Sequence, residues 1–413
     1  MKKNHIYQGD NVEVLKTFPD ESVDCVVTSP PYWGLRDYDQ EDQLGLEETP
    51  EEFVKNLVNV FSEVKRVLKS TGTCWLNLGD SYMSSSYGMN ESHDPKNNKT
   101  KNMNKRKDKS CNYCKKIYKG TKNQRFCSKQ CAGVDNTPRD KKNILKPKNL
   151  VGIPWRVAFA LQSDGWYLRQ DIIWAKPNPM PESVQDRCTK SHEYIFLLTK
   201  SPKYFYDIDA IREPLAESSI GRLKQNIDKQ VGTTRANGGA KSNGNFKATG
   251  SIEKGANKRS VWTITTKPYK EAHFATFPIE LPTYCIRAGC PEKVCKKCGK
   301  HYIDVYEEKL EELSEVYNGK ATKDYSKAKA QNPSDTKRRI LESMRKQKIL
   351  IESKPQCNCN VGFEGGIVLD PFMGSGTTGL AARNQQRNYV GIDLNPEYIE
   401  IAKRRLQQLN LFI

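Results

Sequence analysis

The sequence predicts an α/β protein with a parallel β-sheet and helices packed on its faces. Strand and helix patterns alternate through the first 80 residues, further elements follow up to residue 198, and the same alternation resumes near the C-terminal end after an interval of about 170 residues. The length agrees with this fold class, because 413 residues are enough for two or three domains and a sizeable hydrophobic core.

The spacing of apolar residues predicts each element. Short apolar runs predict buried strands, and apolar residues three and four apart predict amphipathic helices. The first half is predicted to contain strands at 5–7, 23–28 and 73–78, and helices at 12–18 and 51–68. A helix at 154–161 and strands at 168–174 and 194–198 follow, and the last elements are a strand at 367–369, a helix at 378–383, a strand at 388–392 and a helix at 397–409.

Three segments depart from this alternation. Residues 84–110 and 217–260 are polar and lack apolar periodicity, so we expect irregular, mobile insertions there. Residues 336–351 have a helical pattern, and their basic side chains could contact phosphates: Arg338, Arg339, Arg345, Lys346 and Lys348.

Composition and charge exclude a membrane protein and indicate a polyanionic partner. Hydrophobic residues make up 36% and the formal net charge is +18, and no apolar stretch approaches the roughly 20 residues of a membrane span. Residues 96–148 hold 18 lysines and arginines against three acids, a net charge of +15 in 53 residues. We expect a cytoplasmic protein with a basic module inserted in a near-neutral body; a solvated surface insertion is the alternative.

Eight of the 13 cysteines have the spacing of zinc ligands. One set lies inside the basic segment and comprises Cys111, Cys114, Cys127 and Cys131. The other set has 58 residues between its two pairs and comprises Cys295, Cys298, Cys357 and Cys359. We predict one or two structural zinc ions, with buried cysteines that bind no metal as the alternative.

A turn with two glycines lies between the predicted strand at 367–369 and the helix at 378–383. Gly374 and Gly376 would let the backbone approach a ligand closely, and Thr377 or Thr378 could cap the helix.

Two acids flank this turn. Asp393 ends the next strand, where a carboxylate can accept hydrogen bonds from ribose hydroxyls. Asp370 precedes the glycines and suits a ligand with a cationic ammonium group, such as S-adenosylmethionine. The third glycine of a dinucleotide site is absent, and a purely structural turn stays an alternative.

A second turn, Thr-Ser-Pro-Pro-Tyr-Trp at 28–33, follows the buried strand at 23–28. Its two prolines remove amide donors, so the turn presents carbonyl oxygens and the Ser29 hydroxyl as hydrogen-bond acceptors. Such a turn suits an exocyclic amino group, and Tyr32 or Trp33 could stack on a base. On its own the turn could equally end the strand and pack the core.

Together these segments resemble the amino-group DNA methyltransferases of the permuted β class, in which the amino-acceptor motif precedes the cofactor motif. The resemblance covers some 230 residues, at 1–82, 150–212, 260–291 and 365–413. It extends to the strand at 73–80 and to the target-base side at 187–194.

The zinc-binding insertions, which the cysteine spacing predicts, fall outside the resemblance. The resemblance implies a Rossmann-like, circularly permuted sheet that binds S-adenosylmethionine, with the two ends of the chain adjacent. It divides the chain into catalytic segments at 1–82, 150–212, 261–291 and 365–413, a basic zinc-binding insertion at 83–149, a polar insertion at 213–260 and a second cysteine-bearing insertion at 292–364. The implied cofactor-binding residues are Asp10, Phe274, Thr276, Asp370, Phe372, Gly374, Gly376, Thr377 and Asp393.

The implied activity is site-specific methylation of double-stranded DNA. Serine before Pro-Pro is typical of enzymes that act on cytosine N4, and aspartate of those that act on adenine N6, which stays the alternative. Ser29, Pro30, Pro31 and Tyr32 are the implied catalytic residues, holding the amino group of a flipped-out base.

Other functions stay open at this point. The chain could be a non-catalytic, zinc-containing DNA-binding protein, or it could methylate RNA or a protein amide. We expect 83–149 and 213–260 to flank the DNA and carry much of its recognition. A cognate restriction endonuclease is a second expected partner, and the oligomeric state is left undetermined.

Overall fold

The computed structural model describes residues 1–34, 43–83, 107–110, 115–120, 145–224, 255–267, 276–311 and 345–408. The chain forms two compact units. The first, which we call the sheet unit, comprises Met1–Cys290 and Ile367–Ile413, and the second, the cysteine unit, comprises Pro291–Gly366.

The sheet unit holds ten of the described strands and all of the described helices. Its strands are β1 (His5–Gln8), β2 (Val23–Thr28), β3 (Leu68–Leu78), β4 (Lys107–Ser110), β5 (Ile117–Gly120), β6 (Tyr167–Ala175), β7 (His192–Thr199), β8 (Val261–Thr263), β13 (Ile367–Asp370) and β14 (Asn388–Asp393). Its helices are α1 (Asn11–Lys16), α2 (Pro50–Val67), α3 (Ile153–Ser163), α4 (Glu217–Lys224), α5 (Glu280–Gly289), α6 (Thr377–Asn384) and α7 (Pro396–Gln408). The cysteine unit contains β9 (Val294–Cys295), β10 (Tyr302–Glu311), β11 (Arg345–Pro355) and β12 (Phe363–Glu364).

Eight strands form one sheet in the order β1-β14-β13-β2-β3-β7-β6-β8. The two ends of the chain are adjacent in this sheet, because β1 pairs with β14 in parallel, from His5 opposite Val390 to Gln8 opposite Asp393. β14, β13, β2 and β3 continue the parallel array.

The prediction of a parallel sheet is wrong at the other edge. β7 pairs antiparallel with both β3 and β6, while β8 pairs in parallel with β6. Two consecutive strands can pair in parallel only if a crossover connection, usually a helix, joins them. The proline-rich connection between β6 and β7 has no helix, so the two strands form an antiparallel hairpin.

Side chains that alternate along the central strands build a core on each face of the sheet. Val26 and Leu76 point into one core with α2 and α3, whereas Val27 and Trp75 point into the other with α5 and α6. The helix-period pattern of α2 explains its place, because its apolar residues Phe53, Leu57, Val60, Phe61 and Val64 are at most 2% exposed. Thr49 accepts a hydrogen bond from the Glu52 amide and thereby caps the start of α2.

Three predictions about irregular or helical segments need correction. β4 lies within the segment predicted to be irregular at 84–110, and it is ordered by pairing with β5. α4 occupies the start of the polar tract 217–260. Residues 345–351 form part of β11 rather than a helix, because β10 offers them an antiparallel partner; residues 336–344 lie outside the described part of the chain.

The sequence analysis did not identify α5. A proline inside a segment usually argues against a helix, and Pro282 lies inside this one. Pro282 is in the first turn of α5, however, where a missing backbone N–H costs no hydrogen bond. None of the helices within the described ranges is long and apolar enough to cross a membrane.

Close packing of α5 on the sheet predicts a steric requirement at Gly289. A Cβ at this position would overlap Thr73 Oγ1 and Trp75 Nε1, both in buried side chains of β3. We expect Gly289→Ala to lower the free energy of unfolding by about 1–3 kcal/mol, measured by urea denaturation.

Gly221→Ala is the matched control for this substitution. Gly221 lies on α4 and is exposed, and no atom of the described residues lies within 4 Å of its ideal Cβ position. The same change there should leave stability unchanged or raise it by up to about 1 kcal/mol through helix propensity. Equal effects at the two positions would contradict the packing argument.

Candidate active site

Polar residues collect at one edge of the sheet, where four adjacent parallel strands end. Ser29 directly follows β2, Asp370 ends β13, Asp393 ends β14, and Asp10 lies just beyond β1. This edge is where open α/β sheets bind their ligands. The fold therefore brings together the two turns that the sequence analysis singled out.

A buried carboxylate, Asp370, joins these two turns directly. Thr28 Oγ1, from the residue before Ser29, donates to Asp370 Oδ1 at 2.6 Å, and the Phe372 amide donates to the same oxygen at 3.0 Å. Thr378 Oγ1 donates to Asp370 Oδ2 at 2.6 Å. Burial outweighs these hydrogen bonds and raises the pKa of Asp370 to about 6. Both oxygens of the acid predicted to face an ammonium group thus already have protein donors.

The glycine turn has the open backbone that a ligand would need. Gly374 and Gly376 have positive φ angles of 52° and 81°, which glycine adopts without strain. Next to an ideal Cβ at Gly374, the described structure places only the Phe372 carbonyl oxygen, at 3.9 Å. At Gly376 a Cβ would lie 2.9 Å from the Ala402 Cβ, so this glycine serves close packing against α7.

Asp393 holds the glycine turn from the adjacent strand. Its Oδ2 accepts from the Gly374 amide at 2.7 Å, and its Oδ1 accepts from the Asn395 amide at 2.9 Å. Burial raises the pKa of Asp393. The side chain stays half-buried at the sheet edge.

The predicted helix-capping threonines have other partners. The N-cap of α6 is Gly376, which offers no side chain, while Thr377 Oγ1 accepts from Arg405 at 2.8 Å and Thr378 bonds Asp370. The prediction that Thr377 or Thr378 caps the helix is therefore wrong. The αL conformation of Gly376 leads the chain into α6 without a capping side chain.

The remaining predicted cofactor residues differ in burial and in their contacts. Asp10 is exposed and caps α1 by accepting from the Glu13 amide at 3.0 Å. Phe372 is half-buried and packs against the core on the α2 side. Thr276 is half-buried just ahead of α5, and Phe274 lies outside the described residues.

The turn at 28–33, which we call the acceptor turn, is held by the hydroxyl and the ring of Tyr32. Tyr32 Oη donates to Glu193 Oε2 at 2.6 Å, and Ser29 Oγ donates to Tyr32 Oη at 3.4 Å. The Tyr32 ring lies against Gly79, where a Cβ would be 2.5 Å from Tyr32 Cε2. Pro30 is buried, whereas Ser29 and Tyr32 are half-buried. Trp33 instead donates its indole N–H to the Glu47 carbonyl at 3.0 Å.

A charged group lies behind this turn. Glu193 forms an ion pair with Lys176, whose ammonium group also lies 4.3 Å from the centre of the Trp174 ring. Burial raises the pKa of Glu193, but Lys176 and the hydrogen bonds from Tyr32 and Asn77 outweigh burial, so the net pKa is lowered. Glu193 is consequently ionised at neutral pH.

Asn77 contacts Ser29, Tyr32 and Glu193 and thereby connects them. Its amide nitrogen lies 2.9 Å from both Tyr32 Oη and Glu193 Oε2, and 3.3 Å from Ser29 Oγ. Its Oδ1 atom is buried and has no hydrogen-bond partner among the residues that the structure describes. Leaving such an acceptor unpaired costs about 1–3 kcal/mol, and an N–H donor on a ligand would remove that cost.

Sequence reasoning missed Thr28, Asn77, Lys176 and Glu193 as site residues. Asn77 and Glu193 fall within the segments whose resemblance to the methyltransferases was noted, but no local pattern singles them out. One signal was available: a polar residue inside an otherwise apolar strand, as at Asn77, indicates a side chain with a specific partner.

In the cysteine unit, the second predicted set of cysteines comes together. The four sulfur atoms of Cys295, Cys298, Cys357 and Cys359 all lie within 4.8 Å of one another. A tight turn presents the first pair, because the Gly299 amide donates to the Cys295 carbonyl at 2.9 Å and Gly299 has a φ of 68°. Backbone amides at 298 and 297 lower the pKa of Cys295 to about 6. Four thiols at this separation fit a tetrahedral zinc ion.

The first predicted set, Cys111, Cys114, Cys127 and Cys131, lies outside the described residues.

Comparisons with known proteins agree with this arrangement of motifs. The family described as DNA methylase (N6_N4_Mtase) matches residues 23–295 and 291–404. The type II methyltransferase M.Cfr9I of Citrobacter freundii is 37% identical over 97% of this chain and 87% of its own length. The type II methyltransferase M.XycI of Xanthomonas campestris pv. cyanopsidis is 38% identical over 99% of this chain and 90% of its own length.

Among solved structures, the cytosine-N4-specific PvuII DNA methyltransferase aligns with 98% of this chain and 86% of its own, at 16% identity and a TM-score of 0.47. That similarity is too low to support a conclusion about this chain. The family match and the two relatives extend over nearly the whole length, and the chain therefore belongs to the N6_N4_Mtase family of DNA methyltransferases.

Proposed function

We propose that this DNA methyltransferase transfers a methyl group from S-adenosylmethionine to the exocyclic N4 of a cytosine flipped out of double-stranded DNA. The observation that carries the proposal is the Thr28–Asp370–Thr378 linkage, which fixes the Ser29 turn beside the glycine turn. An amino-acceptor site and a cofactor site have to be adjacent for direct transfer between them.

S-adenosylmethionine would supply an electrophilic methyl group. The open backbone at Gly374 and the half-buried carboxylate of Asp393 fit a nucleoside with ribose hydroxyls. Asp10 and Phe372 would complete the binding surface at this edge, together with Thr276 and Phe274. Asp370 would act mainly by holding the two turns in place, because both of its oxygens already accept hydrogen bonds.

The acceptor turn would orient the target amino group. The lone pair of that nitrogen is delocalised into the base, and hydrogen bonds from its two hydrogens to Ser29 Oγ and the Pro30 carbonyl would localise it. Pro31 would fix the backbone of the turn. Tyr32 would stack on the flipped base while its hydroxyl stays on Glu193, and Gly79 leaves room for its ring.

The hydrogen bonds from Ser29 through Tyr32 to Glu193 suggest a path for the proton that the amino nitrogen loses on methylation. Methylation leaves the amino nitrogen with one proton too many. Ser29 Oγ could accept that proton as its own passes to Tyr32 Oη, and the Tyr32 proton passes to the ionised Glu193. Lys176 would keep Glu193 charged until then.

Serine in place of a carboxylate favours cytosine N4 over adenine N6. Ser29 is a weak proton acceptor by itself, and Glu193 is linked to the turn through the Tyr32 hydroxyl and the Asn77 amide rather than facing the target amino group in place of Ser29. We further propose that the sheet is circularly permuted, since β13 and β14 carry the glycine turn and Asp393 but follow β2 in the chain. The catalytic segments and insertions would then divide at the boundaries predicted from the sequence.

Zinc, DNA and a restriction enzyme complete the proposal. Zinc would be held by Cys295, Cys298, Cys357 and Cys359, and a second ion by the cysteines of the 83–149 insertion. The insertions at 83–149 and 213–260 would contact double-stranded DNA. A cognate endonuclease and a cytoplasmic location would follow from the type II class of the bacterial relatives.

Product analysis tests the proposed function. With labelled S-adenosylmethionine and double-stranded DNA, the purified protein should yield N4-methylcytosine on nucleoside digestion. N6-methyladenine would establish the alternative base specificity instead, and transfer to RNA or protein but not to DNA would contradict the proposal.

Two substitutions test the acceptor turn. Ser29→Ala should reduce methyl transfer by about 100-fold or more, because the amino group loses an acceptor in the transition state. Tyr32→Phe keeps the ring but breaks the link to Glu193, and we expect a loss of about 10-fold or more. Cofactor affinity, measured by calorimetry, should stay within about 3-fold of the wild type for both. Unchanged turnover in both variants would contradict the assignment of this turn.

Asp370 predicts a specific pH dependence of stability. Its pKa is about 6 in the folded protein and 3.8 in its ordinary state, so the folded protein binds this proton more tightly than the unfolded chain. The stability that Asp370 contributes is fully present below pH 4 and is lost as pH rises through about 6. Urea unfolding at several pH values should show the wild type losing roughly 2–3 kcal/mol relative to Asp370→Asn between about pH 4 and 7. A difference that stays constant or grows with pH would contradict this.

Metal content tests the cysteine sets separately. The wild type should contain two zinc ions per chain by mass spectrometry, and Cys298→Ser and Cys114→Ser should each contain one. Cys188→Ser is the control, because Cys188 is an exposed cysteine outside both sets. Full zinc content in Cys298→Ser would rule out the site in the cysteine unit.

A further inference from the structure

The loop between β6 and β7, which leaves the sheet at the edge where Ser29 lies, carries an exposed apolar side chain. Met180 is 84% exposed, the highest value among the large hydrophobic residues that the structure describes. Pro179 and Pro181 flank it and restrict the backbone on both sides. A single exposed apolar side chain is common on protein surfaces, so the loop that holds Met180 and its contacts with the site carry the argument.

Hydrogen bonds anchor the loop on both sides of Met180. Two residues before it, the Asn178 side chain exchanges two hydrogen bonds with the Thr266 backbone, at 3.0 and 3.2 Å. Two residues after it, Glu182 Oε2 accepts from Arg187 at 2.6 Å and from the Lys190 amide at 3.3 Å. The backbone is therefore anchored on both sides of Met180.

The ends of the loop contact the acceptor site itself. Lys176, the first loop residue, pairs with Glu193, which holds Tyr32. Near the other end, Lys190 Nζ donates to the Asp80 carbonyl, two residues beyond β3. The register agrees, because Ala175 pairs with His192 and Leu78 with Tyr194, so the loop leaves the sheet at the edge where Ser29 lies.

We propose that Met180 enters the DNA duplex and fills the space that the target base leaves when it is extruded. The inference rests on the proposed function, because only a base that has left its stack could reach the half-buried Ser29. An unbranched, polarizable side chain suits insertion between base pairs. The loop that carries Met180 leaves the sheet at the edge where Ser29 lies, and its first residue pairs with Glu193.

A comparison of paired and mispaired substrates tests this role. In duplex DNA with the methylation site mapped from the wild-type product, Met180→Ala should slow methyl transfer by about 10-fold or more, since unstacking a base costs a few kcal/mol. When the target base is mispaired and already weakly stacked, the same variant should return to within about 3-fold of the wild type. Met180→Leu, which keeps the apolar bulk, should behave like the wild type on both substrates.

Base extrusion can also be read without methyl transfer. With 2-aminopurine at the target position, the fluorescence increase on binding should be lost in Met180→Ala and kept in Ser29→Ala. Phe159→Ala is the matched control, since Phe159 is a 54% exposed apolar residue on α3, and it should change neither readout.

Two results would overturn the proposal. Equal loss of activity by Met180→Ala on paired and mispaired DNA would assign the residue to binding in general, and wild-type behaviour on paired DNA would remove it from the reaction. Failure of the proposed function looks different, because the wild type itself would then give no methylated base in DNA.

Discussion

The hydrogen bonds of Asp370 are the interaction on which the site depends. This buried carboxylate receives Thr28 from the end of β2 and Thr378 from the start of α6, 342 residues and eight residues away in the chain, respectively. An ionised carboxylate in a core is costly unless donors surround it. The three donors at Asp370 offset much of that cost, and they fix the separation of the acceptor turn from the glycine turn.

On the acceptor side, a second, partly buried charge plays a similar part. Glu193 is kept ionised by Lys176 and receives the Tyr32 hydroxyl and the Asn77 amide. The two carboxylates therefore hold the Ser29 turn from opposite ends, one through the preceding threonine and one through the following tyrosine. A weak acceptor such as a serine hydroxyl gains most from this kind of preorganisation, since it contributes by position rather than by charge.

Local patterns in the sequence predicted the elements that a local signal defines. The continuous apolar runs of β2 and β13 and the helical spacing of α2 match the structure, and the two turns follow these strands as predicted. The antiparallel edge was missed because strand direction depends on which neighbour a strand meets in the folded sheet. The same reason explains β11, whose helical spacing is overridden by pairing with β10.

The same difference between local signals and long-range contacts applies to the candidate site residues. Ser29 and Gly374 could be predicted from sequence because turn chemistry is local, whereas the hydrogen bond of Asp370 with Thr28 could not, because Thr28 lies 342 residues away in the chain. Two motifs alone left open whether the Asp370 carboxylate faces a ligand or the protein. Its hydrogen bonds show that it faces the protein.

The most direct test of the account is the position of the target base in a crystal structure of the protein with DNA and a cofactor analogue. The account predicts an extruded cytosine whose N4 atom lies within about 3.2 Å of both Ser29 Oγ and the Pro30 carbonyl oxygen. An extruded base whose amino group contacts neither atom, or a target base that remains stacked in the duplex, would contradict it.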